Sequence, residues 1–231
     1  MGLKRASKPF KFFTRLSMVE LTGRRAKNAE ELLKQVEEVD AAVIYYHTHR
    51  FLQQYLYLSP EPPNDFAYWV REILGDPVLG ERLQSINICD FDSISALRKK
   101  IADTIRDHLA SSKRTLYRRV PEGEEFYFLK ARSFIFPTPY EAWNLDEFLK
   151  CLQEVSIDAF YFHMFEARLR LERGTNDFSF WLGTSLDETE LAEKICRLDP
   201  YTHTLMGLRN RLVVMISRRL EEEGIKVGGN Q

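Results

Sequence analysis

The chain has little cysteine. Its 231 residues include three, Cys89, Cys151 and Cys196, an odd number without C-x-x-C spacing. That rules out a disulfide frame or a cysteine-rich zinc module, and it predicts reduced thiols in a cytoplasmic protein. Long hydrophobic runs are also missing: no stretch of about 18 apolar residues is available to span a membrane. The basic segment Met1–Arg15 is not followed by an apolar core of the kind a secretory signal needs. Neither sign of charge dominates, with 33 Lys and Arg against 34 Asp and Glu and a net charge of -1. Global electrostatics therefore gives no reason to expect nucleic acid or a membrane as partner. The chain also lacks G-x-x-x-x-G-K, G-x-G-x-x-G, G-x-S-x-G and H-E-x-x-H. Common nucleotide, dinucleotide, hydrolase and zinc-protease chemistries lose their usual support, so no cofactor is expected.

What is present is a repeated pattern in a composition that suits a folded protein, 44% hydrophobic, 13% aromatic and 29% charged. Asn64-Asp65-Phe66-Ala67-Tyr68-Trp69 returns 112 positions later as Asn176-Asp177-Phe178-Ser179-Phe180-Trp181. Upstream, Asn28–His47 aligns with Asn144–His163 at an offset of 116, with 8 identities in 20 positions. Residues 64–86 and 176–198 share 7 in 23. Chance at ordinary composition gives roughly one or two in each window, so the pattern reads as an internal duplication. The offset changes between Ser59-Pro60-Glu61-Pro62-Pro63 and Arg173-Gly174-Thr175, where loops absorb length differences.

Within each copy, an aromatic, β-favouring run comes first. A short strand is predicted over residues 10–19, with its counterpart over 126–136 ended by Pro137-Thr138-Pro139. Asn28 and Asn144, each with Glu three residues on, give a helix-start signal. Leu32, Leu33, Val36 and Val39 continue as an amphipathic stripe, mirrored by Phe148, Leu149, Leu152 and Val155. Four further helices follow in each copy. The fold class expected is mainly α with a β margin: internally duplicated helical units, one short strand each, packed about a pseudo-twofold. The predicted divisions are a flexible basic segment over 1–9, repeat units over 10–111 and 126–222, a connector over 112–125 and a disordered tail over 223–231.

Tyr45-Tyr46-His47-Thr48-His49, the run Ser59–Trp69 and the run Phe162–Leu171 resemble a bacterial and archaeal family catalogued as a domain of unknown function, over about Phe10–Leu220. The Asn-Asp-Phe-x-x-Trp unit also resembles an appended module of other prokaryotic proteins. The resemblance implies proximity to carbohydrate-handling genes, and it brings no catalytic residues.

Chemistry is concentrated in few places. His47, His163 and Glu166 are the candidates for acid-base or ligand-binding work, but the histidines read first as polar side chains hydrogen-bonded at a helix interface; His49 points about 200° away from His47 around a helix. His163 and Glu166 share a face, but Arg50 replaces the glutamate in the first copy, so no metal site is predicted. Asn64, Asp65, Asn176 and Asp177 stand beside Phe and Trp. They read as helix caps first, and as a sugar-type surface of ring face plus polar rim second. The residues predict a cytosolic binding or regulatory module with a protein partner or a small polar ligand. The alternative is a small-molecule or carbohydrate-acting enzyme with its polar site between the repeats.

Overall fold

Two asparagines set where the helical part of each half begins. In the computed structural model of the chain, residues 3–49, 64–112, 118–166, 175–198 and 204–225 are described. Asn28 Oδ1 accepts the N–H of Glu31 at 2.8 Å, and Asn144 Oδ1 that of Glu147 at 2.9 Å. Each glutamate reaches back and accepts the N–H of Lys27 or Trp143, at 2.9 and 2.7 Å. This is a capping box displaced by one residue, and it satisfies donors that an open helix end would orphan.

The same order of elements occurs twice among the described residues. Strand β1 (Phe10–Ala26) is followed by α1 (Ala29–Glu38), α2 (Ala41–His49), α3 (Asp65–Tyr68, continued by a π-helical turn over Trp69–Ile73), α4 (Pro77–Gln84) and α5 (Ile94–Ser111). Strand β2 (Phe126–Ala142) is followed by α6 (Leu145–Glu154), α7 (Ile157–Tyr161, continued by a π-helical turn over Phe162–Glu166), α8 (Asp177–Ser185), α9 (Thr189–Cys196) and α10 (Leu205–Glu222). The architecture is mainly helical with a two-stranded antiparallel sheet. The predicted loop Ser59–Pro63 and Arg50 lie outside the described residues, as do parts of the connector and tail.

The strands correct the prediction. Each has 17 residues, and β2 runs through both prolines instead of stopping before them. Thr22 Oγ1 donates to the Phe128 carbonyl and Thr138 Oγ1 to the Phe12 carbonyl, which fixes the antiparallel register. Alternate residues of a two-stranded ribbon turn their N–H away from the partner strand. Leu129 is one of these on β2, since its N–H is used by a side chain, and Pro137 and Pro139 fall on the same alternation. A proline there removes no ladder hydrogen bond.

The chain forms two compact units. One is made chiefly of Met1–Leu16 and Phe134–Gln231, the other of Ser17–Tyr55 and Ser59–Ser133. Each therefore holds one segment of β1 and one of β2. In the first unit, α6 packs on α10 and α8 on α9. Phe10, Phe12, Phe148, Phe160, Phe178, Leu212 and Ile216 are buried together, with Phe12 and Phe148 stacked at 5.6 Å. In the second, α1, α2 and α4 pack on α5. Phe66 stacks on Phe126 at 5.1 Å, and Leu32, Val36, Ile44, Leu79 and Ile105 are buried. Each such side chain contributes roughly 1.5–3 kcal/mol on burial.

Candidate functional site

Every residue of the repeated Asn-Asp-Phe-x-x-Trp run has a definite task. Asn64 and Asn176 are N-caps, each accepting an N–H at 2.8 Å, from Ala67 and Ser179 respectively. Asn64 also donates through Nδ2 to the Leu83 carbonyl at 3.2 Å, tying α3 to α4. Phe66 and Phe178 enter the cores. The indole N–H of Trp69 donates to the Glu124 carbonyl at 2.8 Å, and that of Trp181 to the Lys8 carbonyl at 3.0 Å. Each tryptophan thus holds the segment that leads into a strand.

Asp65 and Asp177 open their helices, where a carboxylate is favoured by the helix dipole. Their partners are the two buried histidines. His47 Nδ1 lies 2.8 Å from Asp65 Oδ2, and His163 Nδ1 lies 2.8 Å from Asp177 Oδ2. On the far side of each ring, Nε2 accepts a strand N–H: Leu129 at 2.9 Å for His47, Phe13 at 2.8 Å for His163. An amide N–H can only donate, so Nε2 must supply its lone pair and the ring proton sits on Nδ1, which donates it to the aspartate. The histidines therefore join a helix start to an outward-facing strand N–H that the ribbon itself leaves unpaired.

Glu166 goes elsewhere. It forms an ion pair with Arg15, the two side chains being 13% and 2% exposed. The Arg15 guanidinium lies 4.7 Å above the Tyr161 ring, a cation–π contact. His49 is buried, 2.7 Å from Thr48 Oγ1 and stacked on Tyr45 at 5.0 Å. Burial pushes its imidazole down to about 3. Among the described residues no three His, Cys, Asp or Glu side chains group closely enough to hold a metal ion.

Over His163 and Asp177 a cleft of about 420 Å³ opens, lined by Lys11, Phe13, Ile135, Phe162, Phe180 and Trp181. Phe180 is 43% exposed and the Asp177 side chain 24%. The cleft joins an apolar ring face to a carboxylate that the imidazole holds in place. A second groove of about 730 Å³ lies along α9 and α10. Its charges are largely engaged with one another: Arg219 grips Glu188 at 2.9 and 3.2 Å, and Lys194 meets Glu190 at 2.7 Å.

Sequence reasoning found the histidines, the Asn-Asp pairs and Glu166, and missed Arg15, the strand N–H partners and the exposed Phe180. A signal for Phe180 was available. Phe178, Phe180 and Trp181 span only four helical positions, about 300° of arc, so one ring must face away from the core.

A family model described as "Family of unknown function (DUF5752)" matches residues 7–217. Among solved structures, the chain is similar to that titled "The structure of OrfY from Thermoproteus tenax". The TM-score is 0.81 and the identity 27%, over 94% of this chain and 98% of that one. No curated protein matches the chain. Among the described residues no helix is long and apolar enough to cross a membrane.

Proposed function

The chain belongs to that family, and we propose that it is a cytoplasmic binding or regulatory module, arisen by duplication of a strand-and-helix unit, that takes a small polar ligand on the cleft over His163 and Asp177. The observation that carries this reading is the pairing of a half-exposed Phe180 ring with a carboxylate oriented by His163. A saccharide suits that arrangement: its apolar ring face lies on Phe180, and its hydroxyls donate to Asp177. Catalysis by the histidines is disfavoured because both nitrogens of each ring already have protein partners.

Titration of the protein with mono- and disaccharides, followed by amide NMR shifts and thermal denaturation, tests the reading. Shifts centred on Phe162, Asp177, Phe180 and Trp181 are expected. Phe180→Ala should weaken binding about tenfold, equivalent to about 1.4 kcal/mol, without lowering the melting temperature by more than a few degrees. Binding that Phe180→Ala and Asp177→Asn leave unchanged, or shifts that fall elsewhere, would remove the cleft as the ligand surface.

A further inference from the structure

The cleft over His163 and Asp177 has a cationic wall that a neutral saccharide leaves unused. All of its lining belongs to one compact unit, with Lys11 and Phe13 supplied by β1 and Asp177 and Phe180 by α8. Among the described residues that line it, Lys11 is the one cation and Asp177 the one carboxylate. The imidazole between them is neutral, since its Nε2 accepts the Phe13 N–H.

Strand geometry fixes where Lys11 stands. Phe13 turns its N–H away from β2 and gives it to His163. Residues two apart on a strand repeat that orientation, so Lys11 turns its own N–H to the same edge. Its side chain leaves the strand on the side of Phe13, about 7 Å along. Other cations near the start of the chain are committed elsewhere: Lys4 pairs with Asp187, Arg15 with Glu166, and Arg5 lies over the Trp143 ring at 4.6 Å. Lys11 is exposed and pairs with no carboxylate among the described residues, Asp177 included. The cleft therefore has two ends of opposite chemistry. Asp177 accepts hydroxyl donors and repels anions, whereas the ammonium and strand N–H of Lys11 suit an anion.

The other half of the chain supplies an internal contrast. At the repeat offsets, His47, Asp65 and Tyr68 stand for His163, Asp177 and Phe180, but Tyr127 takes the position of Lys11. The aspartate, imidazole and strand hydrogen bonds recur there at 2.8 and 2.9 Å without that lysine. Lys11 is thus not a requirement of the strand clamp.

We infer that the ligand of this cleft is an acidic saccharide, its ring on Phe180, its hydroxyls donating to Asp177 and its anionic group, a phosphate or a carboxylate, held by Lys11. The inference rests on the saccharide reading and names the ligand class within it. A neutral sugar leaves the ammonium in water, and a bare anion gains nothing from the ring face or from Asp177.

The full chain is titrated at low ionic strength with glucose and galactose, their 6-phosphates, their uronic acids and inorganic phosphate, with amide NMR shifts as the readout. The acidic forms should bind about three- to tenfold more tightly than the neutral sugars, the range of an exposed charge-assisted contact. Their shifts should include Lys11 and Phe13 as well as Asp177–Trp181, and added salt should narrow the gain. A larger gain for the 6-phosphates identifies a sugar phosphate, and a larger gain for the uronic acids a sugar acid. Lys11→Gln should melt near the wild type and bring the acids to the affinity of the neutral sugars, and Lys11→Arg should restore the gain. Acids that bind no more tightly than neutral sugars, or a gain that survives Lys11→Gln, overturn the inference and leave the saccharide reading standing. Inorganic phosphate that binds as tightly as the sugar phosphates overturns it as well. If no sugar, neutral or acidic, shifts the cleft, both readings fall.

Discussion

Replacing His163 with phenylalanine, and His47 likewise, tests the role assigned to the buried histidines. Phenylalanine keeps an aromatic ring of similar width among Phe10, Phe12 and Phe178, which lie 4.9, 5.8 and 5.6 Å from the His163 ring. Two hydrogen bonds are lost. The N–H of Phe13, part-buried beside the cleft, loses its acceptor, which costs up to about 1–3 kcal/mol. The imidazole–carboxylate bond contributes less, about 1 kcal/mol, because the aspartate regains water. His163→Phe should therefore destabilise by up to about 2–4 kcal/mol. His47→Phe should fall in the lower part of that range, because Asp65 is more exposed than Asp177 and its bond is worth less. Equilibrium urea unfolding, followed by far-ultraviolet circular dichroism, measures both. The two compact units make two transitions possible, so each variant is read on the transition of its own unit. A change below about 0.5 kcal/mol in both variants, within the range of ordinary surface substitutions, would refute the strand-clamp assignment. It would return the histidines to a functional role.

Two further tests concern other buried groups. The His49 imidazole is held at about 3 against an ordinary 6.5, burial being the cause. Its unfolded form takes up a proton first, so its contribution to stability is complete above about pH 6.5 and declines toward pH 3 by up to about 1.4 kcal/mol per pH unit. His49→Gln should flatten the stability profile over that window relative to wild type, and parallel profiles would show that His49 does not titrate on unfolding. Glu166→Gln takes the negative charge from the buried Arg15 cation and should cost up to about 3–5 kcal/mol, while Arg15→Met with Glu166→Leu should sit much nearer wild type. Chemical denaturation compares them, and equal losses in the single and double variants would contradict the ion-pair argument.

Much of the fold is written locally. Asn28 and Asn144 announce their helices through a side chain that reaches three residues, and Asn64 and Asn176 do the same. The helical starts were legible for that reason. Pro137 and Pro139 misled because a proline's effect depends on which way its N–H would point, and that direction follows from pairing with a strand more than a hundred residues away. The histidines were legible as buried polar residues, but their acceptor role was not. His163 meets Phe13 across 150 positions and His47 meets Leu129 across 82. Nothing in the local pattern reports a contact of that range. Arg15 was hidden for the same reason: in sequence it is one cation in a strand, and only the packing brings it to Glu166 and Tyr161.

The exchange of strand segments bears on how the protein is made. The helices Ala29–Ser111 complete their core with Phe126 and Phe128, and the helices Leu145–Glu222 complete theirs with Phe10 and Phe12. On the ribosome, the first set must wait for residues beyond its own last helix to emerge. The second set draws on Phe10 and Phe12, a strand segment synthesised before the first set of helices and more than a hundred residues ahead of its own. Such long-range closure slows folding. A nascent chain released between Ser111 and Phe126 would leave the first set of helices without the strand that finishes its core.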